Sequence, residues 1–270
     1  VRDLWPASPI EISGSSRYNL IFYIIGLVQA FCIRNADCVI STLKYADKYF
    51  SEKIAEPKNF AHIQNGFSIK DYTNSKTPPS SYHEKIKIIK SNYKGCIGYT
   101  GGLGAANGVD ALLGAAEELN QAGIAIFIFG KGANLEKYLS YNKPNVYVYP
   151  SIPKSDIVQV SPLFDIGYCG GVNRKVHEYG VSANKVFDMM ASKVPVLFCY
   201  NTRDTFIEDA ACGITIKEPT SPKIAHEILK FFQMEDDVKQ QMGQNGFNAV
   251  MTNFEYSTLS KKLENELSKL

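Results

Sequence analysis

Short apolar runs alternate with helical patterns along the chain from about residue 95 onward. The segments between the runs carry apolar residues at the three- and four-residue spacing of amphipathic helices. Alternating strands and helices predict a parallel sheet with crossover helices, that is, a doubly wound α/β domain. The predicted strands are GCIGYT, IAIFIFG, NVYVYP, FDIGYCG, VPVLFCY and GITI, and the predicted helices lie near 108–120, 132–140, 153–162, 183–192 and 203–210.

The first 80 residues also have an α/β pattern but contain too few strands for a complete sheet. The Pro-, Ser- and Lys-rich segment NSKTPPSSYHEK, residues 74–85, is typical of a linker. We therefore predict one unit over residues 1–80 and a second over residues 81–270. The predicted elements of the first unit are a helix near 17–34, the strand DCVIST, a helix near 44–55 and the strand AHIQNG; two or three helices follow GITI, ending in the amphipathic tail YSTLSKKLENELSKL.

The most apolar segment is LIFYIIGLVQAFCI, residues 20–33. It is shorter than the roughly 20 residues that span a bilayer, so we predict a core helix, with contact to a membrane surface as the alternative. The lysines of KIKIIKSNYK could assist near anionic lipid, but such a run is more often a solvated edge. The chain begins at Val1 rather than Met, and RDLWP is similar to a strand end, so we expect a fragment of a longer protein.

Composition excludes several classes of partner. A formal charge of +2 with 45% hydrophobic residues describes an ordinary globular protein, and it does not favour nucleic acid. The six cysteines lie singly, without a CxxC pair or clustered histidines. They predict reduced thiols in a cytoplasmic protein and no metal site.

The loop TGGLGAANG, residues 100–108, follows the first strand of the second unit and precedes a helix. Gly102 and Gly104 leave backbone N–H groups open to a phosphate, although a tight turn explains them equally well. The dinucleotide fingerprint GxGxxG is half met, because Asn107 takes its third position, and IAIFIFG lacks the acid that holds a ribose. An NAD site is therefore disfavoured, and the absence of GxxxxGK[ST] removes the P-loop nucleotidases.

Lysine 131 lies between two glycines in FGKGANLEKYL, directly after the second strand. Lys131 could meet a phosphate as a mobile point charge. A surface lysine in a glycine turn is also common, so this loop favours a ligand only slightly.

The stretch YGVSANKVFDMMASKVPVL brings Ser182, Asn184, Lys185 and Asp188 to the opening of a helix. We expect Ser182 to cap the helix and to leave the next three amides free for an anion. Lys185 and these amides would hold phosphate, while Asp188 would accept hydrogen bonds from sugar hydroxyls. The alternative is a solvated Lys185 and an Asp188 that only makes a local helix pair.

These residues carry a resemblance to a known family. YGVSANKVFDMMASKVPVL resembles the donor-binding segment of the retaining GT-B glycosyltransferases of family four, in particular the bacterial group that builds capsules and O-antigens. RDLWP, ADCVIST, IQNG, YTGGLGAANGVDALLGAA and FGKG follow in that family's order. The resemblance implies two facing Rossmann-like domains, with the N-terminal, acceptor-side domain incomplete here and the nucleotide sugar bound mainly by the C-terminal one.

The resemblance also implies further site residues and some departures. The nucleobase is expected over the loop PSIPKSD, near the main-chain groups of Ser151 and Ile152. The family's E-x7-E pattern ends at Asp188, but its first acid falls on Gly180, and Glu178 is the nearby substitute. The family's catalytic histidine, if this protein has one, belongs to the missing part, so no catalytic residue is assigned, and His177 stays unassigned.

The function implied is transfer of a sugar from a nucleoside-diphosphate donor, with UDP favoured over GDP, to a lipid-linked or oligosaccharide acceptor, with retention. This chain alone is expected to be inactive. No D-x-D follows a strand, so no metal or other cofactor is predicted. Such enzymes act at the cytoplasmic face of the membrane, which implies a cytoplasmic protein with peripheral membrane contact.

Three alternatives stay open at this point. A nucleotide-sugar 2-epimerase shares the architecture but would be expected to carry additional acids and histidines around the sugar. A module that binds a nucleotide sugar without turnover would share the donor site. An NAD-dependent dehydrogenase is the third alternative, and NAD binding would distinguish it.

Overall fold

The computed structural model describes residues 1–14, 16, 19–73 and 80–270 of the chain. The described strands form two parallel sheets, one of two strands near the N-terminus and one of six strands beyond residue 94. The small sheet contains β1 (Val39–Ser41) and β2 (Phe60–His62); the large sheet contains β3 (Gly95–Gly102), β4 (Ile124–Lys131), β5 (Val146–Pro150), β6 (Ile166–Gly170), β7 (Val196–Cys199) and β8 (Gly213–Thr215).

The helices follow the predicted pattern, with three additions. Helices α1 (Ala7–Ser13), α4 (Lys70–Thr73) and α5 (Ser81–Lys90) were not predicted. The described helices are α1, α2 (Leu20–Asn35), α3 (Ala46–Lys53), α4 (Lys70–Thr73), α5, α6 (Val109–Gly114), α7 (Ala116–Gln121), α8 (Leu135–Leu139), α9 (Lys154–Val160), α10 (Lys185–Ala191), α11 (Phe206–Asp209), α12 (Ser221–Phe232), α13 (Asp236–Asn253) and α14 (Tyr256–Leu267).

The large sheet has the order β5-β4-β3-β6-β7-β8 with every pairing parallel. Strand order therefore reverses between β3 and β6. In doubly wound sheets a ligand binds at this reversal, outside the carboxyl ends of the strands. The topology thus directs attention to the ends of β3 and β6.

Strand β4 shows why this sheet forms. Ile124, Ile126 and Ile128 join the apolar cluster on one face, with α6, α7 and α12, while Phe127 and Phe129 join the cluster on the other face. Because side chains alternate between the faces of a strand, an unbroken apolar run is stable only between two layers of helices. The doubly wound prediction is confirmed.

The predicted linker is partly a helix. Residues 74–79 lie outside the described residues, but α5 begins at Ser81, and the Ser80 hydroxyl accepts a hydrogen bond from the Tyr82 amide at 3.3 Å. Ile86 of this helix is fully buried. A Ser cap followed by apolar residues at helical spacing is a helix start, which the Pro- and Ser-rich composition hid.

The N-terminal residues form a third, smaller apolar cluster around Leu4, Val39 and Phe50. The backbone carbonyl of Val1 accepts from the Thr42 amide at 3.0 Å, so the first residue runs beside β1. RDLWP itself is not a strand, because the chain turns there and enters α1. The expectation of a strand end at RDLWP is therefore wrong.

Helix α2 is not the core helix that the sequence predicted. Only Ala30 and Ile33 are buried. An outward stripe of exposed apolar side chains runs the length of the helix because its apolar residues occupy both faces. This stripe consists of Leu20, Tyr23, Ile24, Leu27, Val28 and Phe31, with Ile21 beside it.

The chain reaches the large unit before the predicted boundary at residue 80. Phe67 lies in the core of the large sheet, and its amide donates to the Phe254 carbonyl at 3.0 Å. The Tyr256 amide donates in turn to the Phe67 carbonyl at 3.1 Å, so α14 begins beside this segment. The division into residues 1–80 and 81–270 stays a prediction.

Candidate functional site

A cleft of about 600 Å³ opens at the carboxyl ends of β3 and β6. Thr100 and Gly101, near the end of β3, line this cleft, and residues 180–185 form the opposite wall. Arg2, Asp3 and Leu43 close it from the side of the first unit. The cleft therefore lies at the reversal of strand order, where the topology predicts a ligand.

Lys185 is the half-buried cation of this cleft. Its ammonium donates a hydrogen bond to the Tyr99 hydroxyl at 3.0 Å and lies 4.4 Å from the centre of that ring. No carboxylate in the described part of the chain pairs with it, and burial lowers the pKa of the ammonium. A desolvated cation without a paired acid favours the approach of an external anion.

The geometry links Lys185 to the glycine loop. The Tyr99 hydroxyl donates to the Gly102 carbonyl at 2.5 Å, so Lys185, Tyr99 and the loop form one chain of hydrogen bonds. A side chain at Gly101 would lie 3.0 Å from the Lys185 Cε atom, and the φ of Gly101 is +153°. Glycine at position 101 therefore leaves room for the Lys185 side chain.

The opening of α10 differs from the prediction in its cap. The helix begins at Lys185, and neither Ser182 nor Asn184 caps it through its side chain. Instead, the Asn65 amide donates to the Ser182 hydroxyl at 2.5 Å and to the Asn184 side-chain oxygen at 2.7 Å. The predicted Ser182 cap is wrong because Asn65, from the loop after β2, holds that side chain.

The amides at this opening are nevertheless free. Within the described ranges, the backbone N–H groups of Ala183, Asn184 and Lys185 donate to no backbone carbonyl, whereas the Val186 amide donates to the Ala183 carbonyl at 3.2 Å. Free N–H groups beside an ammonium favour an anionic ligand. The expectation of available amides therefore holds with a different arrangement of side chains.

Asp188 lies one turn further along α10 and has two protein partners. Its Oδ1 atom accepts from the Tyr72 hydroxyl at 2.7 Å and forms an ion pair with Lys154. Both partners use the same oxygen, which leaves Oδ2 without a hydrogen bond from the described residues. The local pair between Asp188 and Lys185 that the sequence offered as an alternative does not form.

The other predicted residues lie outside the cavity lining. Lys131 ends β4 and is exposed, and Ser151 and Ile152 follow β5, with Ile152 packed against the core. Glu178 pairs with Arg203 at 3.5 Å. The structure therefore brings Ser182, Asn184, Lys185 and Asp188 together and leaves these four residues away from them.

Gly102 and Gly104 do not line the cleft, whereas Asn107 of the same loop does. The Asn107 side-chain nitrogen is 3.4 Å from the place where a Cβ atom on Gly102 would lie, and 3.5 Å from that on Gly104. Gly108 has a φ of +64°, and a Cβ atom there would lie 2.9 Å from the backbone of Gly171. The loop therefore needs glycine for its turn at Gly108, and phosphate binding by Gly102 and Gly104 stays a prediction.

His177 lines the cleft although the sequence left it unassigned. Its ring meets Tyr200 edge-on with centres 5.1 Å apart, and its buried Nδ1 atom has no hydrogen-bond partner in the described chain. Burial, with repulsion from Arg174, lowers the pKa of His177 to about 4. The imidazole is therefore neutral at physiological pH.

Sequence reasoning missed the groups that come from distant segments. Arg2 and Arg174 line the cleft, and Asn65, Tyr72 and Lys154 hold the predicted residues in place. The motif IQNG contains Asn65, and the loop PSIPKSD contains Lys154. Their positions in strand-end loops were the available signal, but only the fold shows which side chains they meet.

No group of three or more His, Cys, Asp or Glu side chains among the described residues is close enough to hold a metal ion. No helix there combines the length and the apolar character needed to cross a membrane.

No protein-family model and no curated protein matches the sequence. Solved structures match the fold. Sucrose-phosphate synthase from Thermosynechococcus elongatus aligns with a TM-score of 0.71 and 13% identity, covering 97% of this chain and 65% of that one. HepE from Anabaena, solved with UDP-glucose, aligns with a TM-score of 0.72 and 16% identity, covering 94% and 69%.

The glycosyltransferase WaaG, described as involved in lipopolysaccharide biosynthesis, gives a TM-score of 0.72 and 16% identity, covering 96% of this chain and 72% of that one. At these identities the likeness shows the fold alone. The chain has the GT-B fold and spans about two thirds of the length of the matched structures.

Proposed function

We propose that the cleft binds a nucleoside-diphosphate sugar, the donor of a glycosyl transfer. The proposed reaction moves the sugar to a hydroxyl group with retention of configuration at the anomeric carbon. The observation that carries this proposal is Lys185, a half-buried cation without an acid at the reversal of strand order. A diphosphate is the part of such a donor that needs a cation. The GT-B fold supports the proposal because HepE, which shares this fold, was solved with the nucleotide sugar UDP-glucose.

The diphosphate would meet Lys185 and the free amides of residues 183–185. Arg2 and Arg174 also line the cleft, whereas its carboxylates are Asp3 and the already paired Asp188. The lining therefore favours a negatively charged ligand. Lys131, at the end of the neighbouring strand, would extend the positive potential of the cleft toward solvent.

Asp188 would bind hydroxyl groups of the ribose and of the sugar. Its free Oδ2 atom can accept hydrogen bonds from hydroxyl groups, while Lys154 and Tyr72 hold Oδ1. Glu178, which pairs with Arg203 away from the lining, has the weaker case for this role. The base would lie beyond Lys154, toward the loop that contains Ser151 and Ile152.

UDP is our preferred nucleotide. HepE was solved with UDP-glucose and also with UDP, and it shares the fold of this chain. We extend that ligand to this chain as a proposal. GDP is the direct competitor in any binding experiment.

The chemistry would rest on charge stabilisation of the departing diphosphate. As the bond from the anomeric carbon to the phosphate oxygen breaks, negative charge grows on that oxygen, and preorganised donors around it lower the barrier. Lys185 and the amides supply such donors. No cofactor is invoked in this proposal, and no catalytic base is assigned, because His177 is neutral but has no substrate contact to define a role.

The acceptor is proposed to be a saccharide carried on a lipid, in the synthesis of a surface polysaccharide at the inner face of the cell membrane. The exposed apolar stripe of α2 supports this part of the proposal, because large apolar patches on a surface mark contacts with proteins or membranes. A stripe along one helix can lie in the interface of a bilayer without crossing it.

Calorimetric titration of the chain with UDP, GDP and NAD tests the donor site. We expect UDP to bind, Lys185→Met to weaken it at least about tenfold, and Asp188→Asn to weaken it about fivefold, as loss of charge-assisted contacts should. Lys87→Met, an exposed lysine of α5 outside the cleft, is the matched control.

Results that differ from these expectations would contradict the proposed donor site. Binding of NAD in place of UDP would indicate a dehydrogenase. Binding of UDP that Lys185→Met leaves unchanged would place the nucleotide elsewhere. UDP binding without transfer of a sugar to an added acceptor would indicate a binding module.

A further inference from the structure

The cleft continues past the start of α10, beyond the place proposed for the diphosphate. Lys185 begins that helix, and Asp188 lies one turn further along it. A donor with its ribose at Asp188 and its diphosphate at Lys185 therefore extends away from α10 at its other end. The lining there comes from the 3₁₀ helix Lys175–Tyr179 and from Arg174 before it. Under the proposed function, this end of the cleft receives the sugar.

Arg174 is the cation at this end of the cleft. The residue is partly buried, and its guanidinium forms no ion pair and no hydrogen bond with the described residues. Arg203, by contrast, lies outside the lining and pairs with Glu178 at 3.5 Å. A partly desolvated guanidinium without an acid favours an anionic ligand, and its planar fork of N–H groups matches a carboxylate in two parallel hydrogen bonds.

His177 lies near Arg174 and does not neutralise it. Burial, together with repulsion from Arg174, lowers the pKa of His177 to about 4, so the ring is neutral near pH 7. Its Nδ1 atom is buried, whereas Nε2 keeps an accessible surface and makes no hydrogen bond to the described residues. The ring therefore has one nitrogen open to a ligand and leaves the charge of Arg174 for that ligand.

The acids of the described residues lie away from this end of the cleft. Glu178, which the sequence offered for the sugar, lies outside the lining. Asp188 lies further along α10 than Lys185 and already has two protein partners. Asp3 lines the cleft from the first unit but is exposed. The sugar would therefore meet a cation and a neutral ring instead of a carboxylate that accepts hydrogen bonds from hydroxyl groups.

We propose that the sugar of the donor is acidic, a hexuronate whose carboxylate is held by Arg174. This inference rests on the proposed donor site and adds the class of sugar to it. The guanidinium would donate two hydrogen bonds to the C6 carboxylate, and the neutral His177 ring would lie beside the sugar. A neutral hexose would leave Arg174 without an anion and would bind more weakly.

Calorimetry with matched pairs of nucleotide sugars tests the class of sugar. UDP-glucuronate is compared with UDP-glucose, and UDP-galacturonate with UDP-galactose, because each pair differs only in the group at C6. UDP without a sugar reports the diphosphate site by itself. We expect at least one uronate to bind at least about fivefold more tightly than its neutral partner, as charge-assisted hydrogen bonds should allow.

Variants of the cleft cations separate the two anion sites. Arg174→Gln should remove the preference for the uronate while changing the affinity for UDP by less than about twofold, and Arg174→Lys, which keeps the charge without the fork, should retain part of it. Lys185→Met should weaken UDP and every nucleotide sugar by similar factors and leave the preference in place. Arg34→Gln, at an exposed arginine of α2 outside the cleft, is the matched control.

The folding of the variants is checked by their melting temperatures. Arg174 has no ion pair or hydrogen bond to lose among the described residues, so Arg174→Gln should melt with the wild type.

Three results would overturn the inference and leave the donor site standing. Equal affinities within both pairs, while UDP binds, would show that the sugar is not recognised as an acid. A preference that survives Arg174→Gln would place the carboxylate elsewhere. Equal weakening of UDP and the uronates by Arg174→Gln would assign this arginine to the diphosphate. If UDP itself does not bind, the proposed function fails and this inference fails with it.

Discussion

The large sheet and the first 73 residues cover their apolar side chains to very different degrees. Strand β4 is buried between two layers of helices, so its isoleucines and phenylalanines are all covered. Helix α2 is as apolar as that strand but buries only Ala30 and Ile33. The difference teaches that apolar composition predicts burial only where the fold supplies a second layer.

Three Phe→Ala substitutions give the largest contrast between the regions. Phe127 and Phe50 are both fully buried, whereas Phe31 is 67% exposed. We expect Phe127→Ala to lower the free energy of unfolding by about 3 to 5 kcal/mol and Phe50→Ala by about 1 kcal/mol less, because its smaller cluster can relax. Phe31→Ala should change it by less than about 0.5 kcal/mol.

Urea unfolding of the three variants and the wild type measures these free energies. A large cost for Phe31→Ala would show that the stripe of α2 is covered in solution, for example by a second copy, and would break the comparison. Separate unfolding transitions would show that the two regions unfold independently.

The ion pair between the partly exposed Lys44 and the buried Asp204 joins the two regions, so its coupling energy measures how strongly they depend on each other. Lys44→Met leaves the Asp204 carboxylate buried without its cation, so we expect a loss of about 3 kcal/mol. Asp204→Asn should cost less, because Lys44 is partly exposed and can turn to solvent. The double variant should lose less than the sum of the two.

A double-mutant cycle by urea unfolding gives the coupling energy. Additive losses would mean that the pair contributes nothing across the boundary. Lys58, which pairs with Asp37 at the exposed surface, is the control, and Lys58→Met should cost no more than about 0.5 kcal/mol.

Acid should lower the free energy of unfolding through His177, which lines the cleft. Burial lowers the pKa of His177 to about 4, so the folded state keeps it neutral while the unfolded state, with an ordinary pKa near 6.5, takes up a proton first. The unfolded state is therefore favoured as the pH falls from about 6.5 to about 4. We expect a loss of about 1 to 3 kcal/mol over this range that His177→Gln lacks.

Urea unfolding at pH 7.5, 5.5 and 4.5 measures this dependence on pH, with His83→Gln, at a partly exposed histidine outside the cleft, as the control. His62, whose pKa is also lowered, contributes with the same sign in every variant that retains it. An equal slope in wild type and His177→Gln would show that His177 has an ordinary pKa in solution.

The smallest stability effect should accompany a change in membrane binding. Leu27→Glu places a charge in the middle of the α2 stripe, where Leu27 is exposed, so we expect less than about 0.5 kcal/mol of change in stability. Co-sedimentation with lipid vesicles should fall at least about fivefold. Val238→Glu, on an exposed apolar residue of α13, is the matched control, and equal loss in both would contradict a specific role for the stripe.

The sequence predicted the large sheet well because its runs are long and bounded by turn residues. All six strands were predicted, and the helix near 183–192 is α10. Helix α5 was missed because its Ser cap lies in a Pro-rich stretch, and α2 was assigned to the core because composition does not distinguish a covered face from an open one.

The candidate site was predictable only where its residues are close in sequence. Ser182, Lys185 and Asp188 share one helix opening, so a local pattern could find them. The Asn65 amide that holds Ser182, and the Lys154 ammonium that holds Asp188, come from other segments. Contacts of this kind depend on which loops the strand order brings together, and no spacing rule reports that.

The lysine without an acid has a consequence for turnover under the proposed function. Transfer leaves the nucleoside diphosphate behind with one more negative charge than it carried in the donor. Lys185 would then attract the product more strongly than the substrate, since no carboxylate of the described residues pairs with that lysine. Under the proposed function, release of the nucleoside diphosphate, rather than the breaking of the glycosidic bond, would then be the rate-limiting step.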